Sequence, residues 1–379
     1  MSLVLNEEQE LLQNSARDFV TNSCPIDWLR KVRGEADTIG YDADVWRQMV
    51  ELGWTAIPFA EDVGGLGLGY AEVGVVLEEL GRRLAVTPYL SSIVLGGGAV
   101  DLGGTNVQRL EILPGVCEGT TLLALAYQET QRHNPYAITT SANQSDGGYL
   151  LCGRKVLVLD GAAADRLIVV ARTSGASGDR DGLTLFIVDP KASGVEVTRG
   201  LLLDSRSAAH LQLDNVAVDA GAVIGKVDAG ADVLDEVLDR AAIAASAEML
   251  GGVQESFERT VEYLKEREQF GAKIGSFQGL KHRAARWFCE VELTRSIVAK
   301  ALRAIDGQDP KLAELASTCK ARASDAFRQS GQEGVQMHGG MGVTDEADIG
   351  FFLKRARVSE LLLGDSAYHR NRFAEIRGF

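Results

Sequence analysis

The spacing of apolar positions divides the chain into three stretches of different period. Over residues 5–20, Leu5, Leu11, Leu12, Ala16 and Phe19 recur at helical intervals behind a candidate N-cap, Asn6, and the acids Glu7 and Glu8. The same spacing predicts helices over 44–52, closed by Gly53, and over 71–84, with a smaller one between 89 and 102. Residues 1–119 therefore read as a helical domain. Near Gly119 the period changes. Short runs rich in Val, Leu and Ile at 122–127, 149–159, 166–171, 183–189 and 210–218 predict strands, with turn material at 143–148 and 174–182. No clear amphipathic helix separates them, so antiparallel pairing in a sandwich or barrel is expected over 120–229 rather than parallel β-α-β units.

After Gly230 the helical period returns, predicting helices at 231–267, 277–307, 310–336 and 346–363. Their short connections carry Gly271 and Gly275, then Gly307 to Pro310, then Gly339, Gly340 and Gly342, and favour antiparallel neighbours in a four-helix bundle over 230–379. The expected fold class is α+β multidomain: N-terminal helices, a central antiparallel β domain and a C-terminal four-helix bundle.

Composition narrows the function classes. With 379 residues, 45% hydrophobic and 24% charged, the chain is globular and long enough for two or three packed units. A net charge of −14 speaks against a nucleic-acid or anionic-membrane surface, because such surfaces draw affinity from clustered Lys and Arg. The five cysteines, Cys24, Cys117, Cys152, Cys289 and Cys319, are far apart and lack C-x-x-C spacing, so neither a disulfide framework nor a zinc site is expected. The acidic N-terminus and the lack of any run near 18 apolar residues predict a soluble protein of a reducing, cytoplasmic compartment.

Three stretches could carry chemistry. The run 63–69 (Val-Gly-Gly-Leu-Gly-Leu-Gly) resembles a dinucleotide fingerprint, but its flanks are helical and no second strand follows, so a tight loop between helices is expected. In the first long helix of the C-terminal domain, Asp239 shares a face with Ile243, Ser246, Leu250, Val253 and Phe257. Such a carboxylate is either ion-paired, to Arg240 or to the next helix, or held in a low-dielectric pocket where it could serve as a general base. Arg240 suits an anionic ligand and equally an ordinary surface position. At the other end of that helix, Arg267 and Phe270 offer a phosphate contact and a ring for an adenine. The cluster 336–342 admits either close backbone approach to a ligand or a helix C-cap. The five histidines show no metal-ligand spacing, and no G-x-S-x-G elbow or P-loop occurs.

Taken together, Arg267-Glu268-Gln269-Phe270-Gly271, Ile274-Gly275-Ser276-Phe277-Gln278 and the 336–342 glycine cluster resemble the acyl-CoA dehydrogenase family. Glu7-Glu8-Gln9, Leu52-Gly53-Trp54, Gly64-Gly65-Leu66-Gly67 and Glu78-Glu79-Leu80-Gly81-Arg82 look like its N-terminal pattern, so the resemblance spans essentially the whole chain. It implies an FAD enzyme that takes the α proton and β hydride from an acyl-CoA thioester, with an electron-transfer flavoprotein as redox partner and a homo- or heterotetrameric assembly. By resemblance Arg267, Phe270, Phe277, Gln278, Gln336, Gly339 and Gly340 would hold the FAD, partly across a subunit interface. The segments bordering the flavin ring would fall at Gln128 and at Leu157 and Leu159.

Departures from the family pattern sharpen the expectation. The usual base is a Glu near the C-terminus, where this chain reads Leu362, Leu363, Gly364, Asp365, and Leu363 cannot accept a proton. Some members carry the base on the first long helix of the C-terminal domain, just before an arginine, which points to Asp239 with Arg240 beside it at the substrate. Asp239 and Arg267 would lie ~40 Å apart along that helix at 1.5 Å per residue, so one helix would serve two sites. The family's Thr near the flavin is absent from 157–159, and its Thr-Glu-Pro segment reads Gln128, Glu129, Thr130. A second expectation follows: a non-catalytic partner subunit of a hetero-oligomeric acyl-CoA dehydrogenase, as in sterol side-chain enzymes built from unlike pairs.

Overall fold

The computed structural model describes residues 4–32 and 40–379. Asn6 caps the first helix, α1 (Glu7–Ser23): its side chain accepts from the Gln9 amide at 2.8 Å while the Gln9 side chain accepts from the Asn6 amide at 3.1 Å. There follow α2 (Asp27–Val32), α3 (Ala43–Glu51), α4 (Tyr70–Arg82), a π-helical stretch (Tyr89–Gly97) that runs into α5 (Gly98–Gly103), and α6 (Asn106–Cys117). Helix α6 and the short α2 were not expected. In α6, Val107 and Leu110 face solvent and Pro114 interrupts the interior, which removes the apolar stripe that periodicity detects.

The glycine run 63–69 is a loop between helices, as expected. A short 3-10 turn (Glu61–Val63) leads in, Gly64 and Gly67 have φ of +84° and +62°, and a Cβ on Gly65 would lie 2.0 Å from the Phe59 carbonyl oxygen.

The β stretch forms one eight-stranded sheet from β1 (Leu123–Ala126), β2 (Ser141–Ser145), β3 (Gly148–Leu159), β4 (Arg166–Arg172), β5 (Leu183–Val188), β6 (Val195–Leu201), β7 (Ser207–Asp219) and β8 (Val223–Ile224). The order is β6-β7-β3-β2-β4-β5-β8, with β1 also on β4. Pairing is antiparallel except for β1–β4 and the single β2–β4 pair Ser141/Arg172, which are parallel. The parallel pair corrects a purely antiparallel expectation. The β2–β3 hairpin spans the gap between β1 and β4, so no crossover helix is needed to bring them alongside. Strands β2, β6 and β8 escaped the pattern because β2 is polar, β6 alternates exposed with half-buried positions, and β8 has two residues. Leu151, Leu167, Val169, Phe186, Leu211 and Leu213 form the sheet's core.

The C-terminal stretch holds α7 (Gly230–Glu266, 37 residues), a small hairpin of β9 (Glu268–Gln269) and β10 (Ala272–Lys273), α8 (Gln278–Asp306), α9 (Leu312–His338), α10 (Ile349–Leu361) and α11 (Ser366–Arg377). The bundle expectation needs one correction, the fifth helix α11. Asp365 caps it by accepting from the Tyr368 amide at 2.8 Å, but only His369 in it is buried, so no apolar stripe announced it.

Within the described residues the chain packs as two compact units, one from residues 4–32, Gly69–Ala85 and Ala242–Phe379, the other from residues 40–68 and Val86–Ala241. In the first, α4 and α7 cross in close backbone contact: a Cβ on Gly81 would lie 1.9 Å from the Glu248 carbonyl oxygen, and one on Gly251 would lie 1.8 Å from that of Glu78. Buried Arg355 sits beside the crossing, donating to Glu248 at 2.8 Å and to the Leu84 carbonyl at 3.0 Å. Cys24, Cys117 and Cys319 are buried, Cys152 is half-buried and Cys289 is exposed. Among the described residues no helix is long and apolar enough to cross a membrane.

Candidate functional site

The end of α7 and the end of α9 line an open cleft of about 750 Å³ in the first unit. Arg267 closes the last turn of α7 with its amide on the Tyr263 carbonyl, 2.9 Å, and the β9–β10 turn then lifts Phe270 to 92% exposure at φ +54°, followed by Gly271 at +74°. Phe277, itself half-exposed, meets Phe270 edge-on at 6.3 Å. The Arg267 guanidinium makes no ion pair among the described residues, which leaves its charge available to an anion.

Across the cleft, α9 ends at His338. The His338 ring stacks on Tyr263 at 4.2 Å with its Nδ1 2.7 Å from the Gly334 carbonyl oxygen, and burial pushes its pKa down. Gly339 at φ +60° ends the helix, so the C-cap reading holds; a Cβ on Gly339 or Gly340 would meet nothing within 4 Å, so the backbone there is open. Gln336 lines the same cleft, whereas Gln278 stands exposed on the first turn of α8, outside the lining. Arginine, bare glycine backbone and aromatic faces are the donor set a dinucleotide pyrophosphate and adenine require, and the space suits them. The residues therefore fit the adenosine half of FAD. The Tyr263–His338 stack was not foreseen, since 75 positions separate two residues that only tertiary packing brings together.

In the second unit, Gln128 follows β1, while Leu157 and Leu159 end β3. Gln128 is half-buried, its side-chain amide folds back to donate to the Thr130 carbonyl at 2.9 Å, and its own carbonyl accepts from the Val156 amide at 2.8 Å. Leu157 stands at φ +54° where β3 slips register against β7 between Lys155 and Val158, and Leu159 is buried opposite Ala208. Sequence reasoning passed over the buried pair of Glu129 and Lys155 between these segments. The signal was there: a lysine in the apolar run 149–159 has to find a partner.

Asp239 is 6% exposed on α7, and Arg240 pairs with Glu236 one turn earlier. At the C-terminal end Leu363 is buried, with φ +60°, and its carbonyl accepts from His369 Nε2 at 2.8 Å; Asp365 is occupied as the α11 cap. Positions 362–364 thus hold no group able to take a proton.

Helices before and after a mainly antiparallel sheet, with an arginine, aromatic and glycine cradle at the end of a long helix, define an acyl-CoA dehydrogenase-type flavoprotein. Residues 6–120, 124–216 and 228–376 match, in turn, the N-terminal, middle and C-terminal domains described for acyl-CoA dehydrogenases. The chain is 31% identical over 358 residues to acyl-CoA dehydrogenase IpdE2 of Mycobacterium tuberculosis, covering 94% of this chain and 93% of that protein. Its fold superposes on the ChsE4–ChsE5 complex of the same organism with a TM-score of 0.89 and 26% identity, covering 100% of this chain and 99% of that one. Butyryl-CoA dehydrogenase of Megasphaera elsdenii shares the fold with a TM-score of 0.92 at 24% identity over the whole of both chains. The chain belongs to the acyl-CoA dehydrogenase family, and it is an FAD-dependent oxidoreductase acting on the CH–CH bond of an acyl-CoA.

Proposed function

We propose that Asp239 is the base of this enzyme and takes the α proton of the thioester. The observation that carries the proposal is a buried carboxylate on α7 in a chain whose usual base position is a buried leucine. A carboxylate held in place on a packed helix is a candidate general base, and a positioned base contributes roughly 10²–10⁴-fold to rate. FAD, when bound, supplies the hydride acceptor for the β carbon. Arg240, held against Glu236, serves the polar part of the substrate. Arg267, Gln336, Gly339 and Gly340 hold the pyrophosphate, Phe270 and Phe277 give faces to the adenine, and Gln278 lies at the edge of that site. The backbone of Gln128, Leu157 and Leu159 borders the flavin ring, with no threonine hydroxyl at 157–159 to donate to it.

Electrons pass to an electron-transfer flavoprotein in the cytoplasm, and the subunits assemble as a homo- or heterotetramer in which exposed Phe270 meets a neighbour. A second reading has this chain as the non-catalytic partner of an unlike subunit. The ChsE4–ChsE5 likeness supports it, since that structure is a complex of two named proteins.

The test is anaerobic titration of the purified yellow protein with a panel of acyl-CoA esters. Bleaching of the visible flavin band is expected for the true substrate class. In Asp239→Asn the flavin should stay bound while its reduction slows about 10²–10⁴-fold; reduction at the wild-type rate would remove Asp239 from the mechanism.

A further inference from the structure

Glu129 and Lys155 form an ion pair inside the β-sheet unit that the proposed reaction does not use. Lys155 is fully buried in β3, and its Nζ donates to Glu129 Oε1 at 2.6 Å and to the Tyr127 carbonyl at 3.4 Å. Glu129, 6% exposed, accepts four further hydrogen bonds. Oε2 takes the amide and hydroxyl of Thr139 at 2.7 and 2.5 Å, and Oε1 takes those of Thr140 at 3.0 and 2.6 Å. Five donors converge on one carboxylate.

The pair joins three pieces of chain. They are the segment after β1, the two threonines before β2 and the end of β3. Next to the pair, the Val156 amide donates to the Gln128 carbonyl at 2.8 Å, so these two segments also touch main chain to main chain. Gly153 lets β3 lie against Thr140, where a Cβ would come 2.5 Å from the threonine hydroxyl. Directly after Lys155 the strand slips register and Leu157 turns to φ +54°, a conformation costly for a leucine unless its surroundings impose it.

Burying two charges is costly, and an apolar pair of similar volume is often no less stable, so stability alone is weak support for keeping the ions. What a many-armed ion pair supplies and an apolar contact does not is fixed geometry. Burial pushes the Glu129 carboxyl up, but the Lys155 ammonium and the two threonine hydroxyls outweigh it and hold the group at about 2, so the acceptor is ionised throughout the working range.

We infer that Glu129 and Lys155 are positioning residues that set the backbone of Gln128 and of Leu157 at the spacing with which both segments meet the flavin ring. The inference rests on the reading that Gln128, Leu157 and Leu159 border the flavin. Neither charge touches the cofactor; the pair acts through the backbone on either side of it.

The experiment compares wild type, the apolar double variant Glu129→Leu/Lys155→Met, and Thr140→Val, which keeps both charges and removes one donor. Each is reconstituted with FAD and measured for FAD dissociation constant, visible flavin circular dichroism and urea unfolding midpoint of the apoprotein. Expected is a double variant that unfolds near the wild-type midpoint yet binds FAD at least 10-fold more weakly with an altered flavin dichroism, and a Thr140→Val variant with a smaller change of the same kind. Unchanged FAD affinity and dichroism in a folded double variant would overturn the inference. Where the double variant does not fold, Thr140→Val decides, and a wild-type flavin signature in it overturns the inference equally. A wild-type chain that binds no FAD at saturating cofactor overturns the flavin-border reading itself and the inference with it.

Discussion

Lys320 and His369 fix the backbone around Leu363. The buried Lys320 ammonium donates to the carbonyls of Ser359, Glu360 and Gly364 at 3.0, 3.2 and 2.9 Å and to the Ser324 hydroxyl at 3.1 Å, while His369 holds the Leu363 carbonyl. Burial, with the nearby Lys320 charge, pushes His369 down to about 3, so it is neutral wherever the enzyme works. An unfolded histidine binds a proton near pH 6.5, and the native one refuses it until about 3, so stability declines as pH falls through that window. Between pH 7 and pH 5 this single group should cost about 2 kcal/mol. Urea midpoints measured at the two values should therefore differ less in His369→Gln than in wild type; equal differences would refute the assignment. Asp239 was legible in the sequence as an acid on an apolar helix face. His369 and Lys320 were not, because what defines each is a set of carbonyls 6 to 44 positions away that only the folded chain assembles.

Elements with a strong apolar period were legible almost to the residue: α7 was expected over 231–267 and runs Gly230–Glu266. The π-helical Tyr89–Gly97 is buried on every side and so carries no face for periodicity to find, and only its helical character was anticipated. The α4–α7 crossing was illegible too, for its glycines look like helix weaknesses until the partner carbonyl is placed. Alanine at Gly251 gains about 1 kcal/mol of helix propensity, but its methyl at 1.8 Å from the Glu78 carbonyl must push two helices apart, at about 3 kcal/mol. Gly251→Ala should thus be destabilised by about 2 kcal/mol. Gly279→Ala on α8, where nothing lies within 4 Å, should be neutral or slightly stabilised, and thermal melting of the pair tests the contrast.

At the scale of the whole molecule the order of helices, sheet and helices was readable from the change of period alone, and the family from motifs spread over the entire length. Assembly is the part written least plainly: Phe270 stands exposed on the single chain, and only in the proposed reading does a neighbouring subunit cover it. Expressed by itself, the protein should elute from gel filtration well above its 40.7 kDa subunit mass and carry about one flavin per chain. A colourless product that becomes yellow only with an unlike subunit would move the assignment to the partner reading. The net charge of −14 leaves no general attraction for a pyrophosphate, which in the proposed reading places that task on Arg267 and the open backbone of Gly339 and Gly340. The thiols offer an experimental handle on the same question. With Cys24, Cys117 and Cys319 sheltered, Cys152 half-buried and Cys289 outward on α8, replacing Cys152 alone would leave one readily reached point for attaching a maleimide dye, so subunit exchange could be followed by fluorescence with a single substitution.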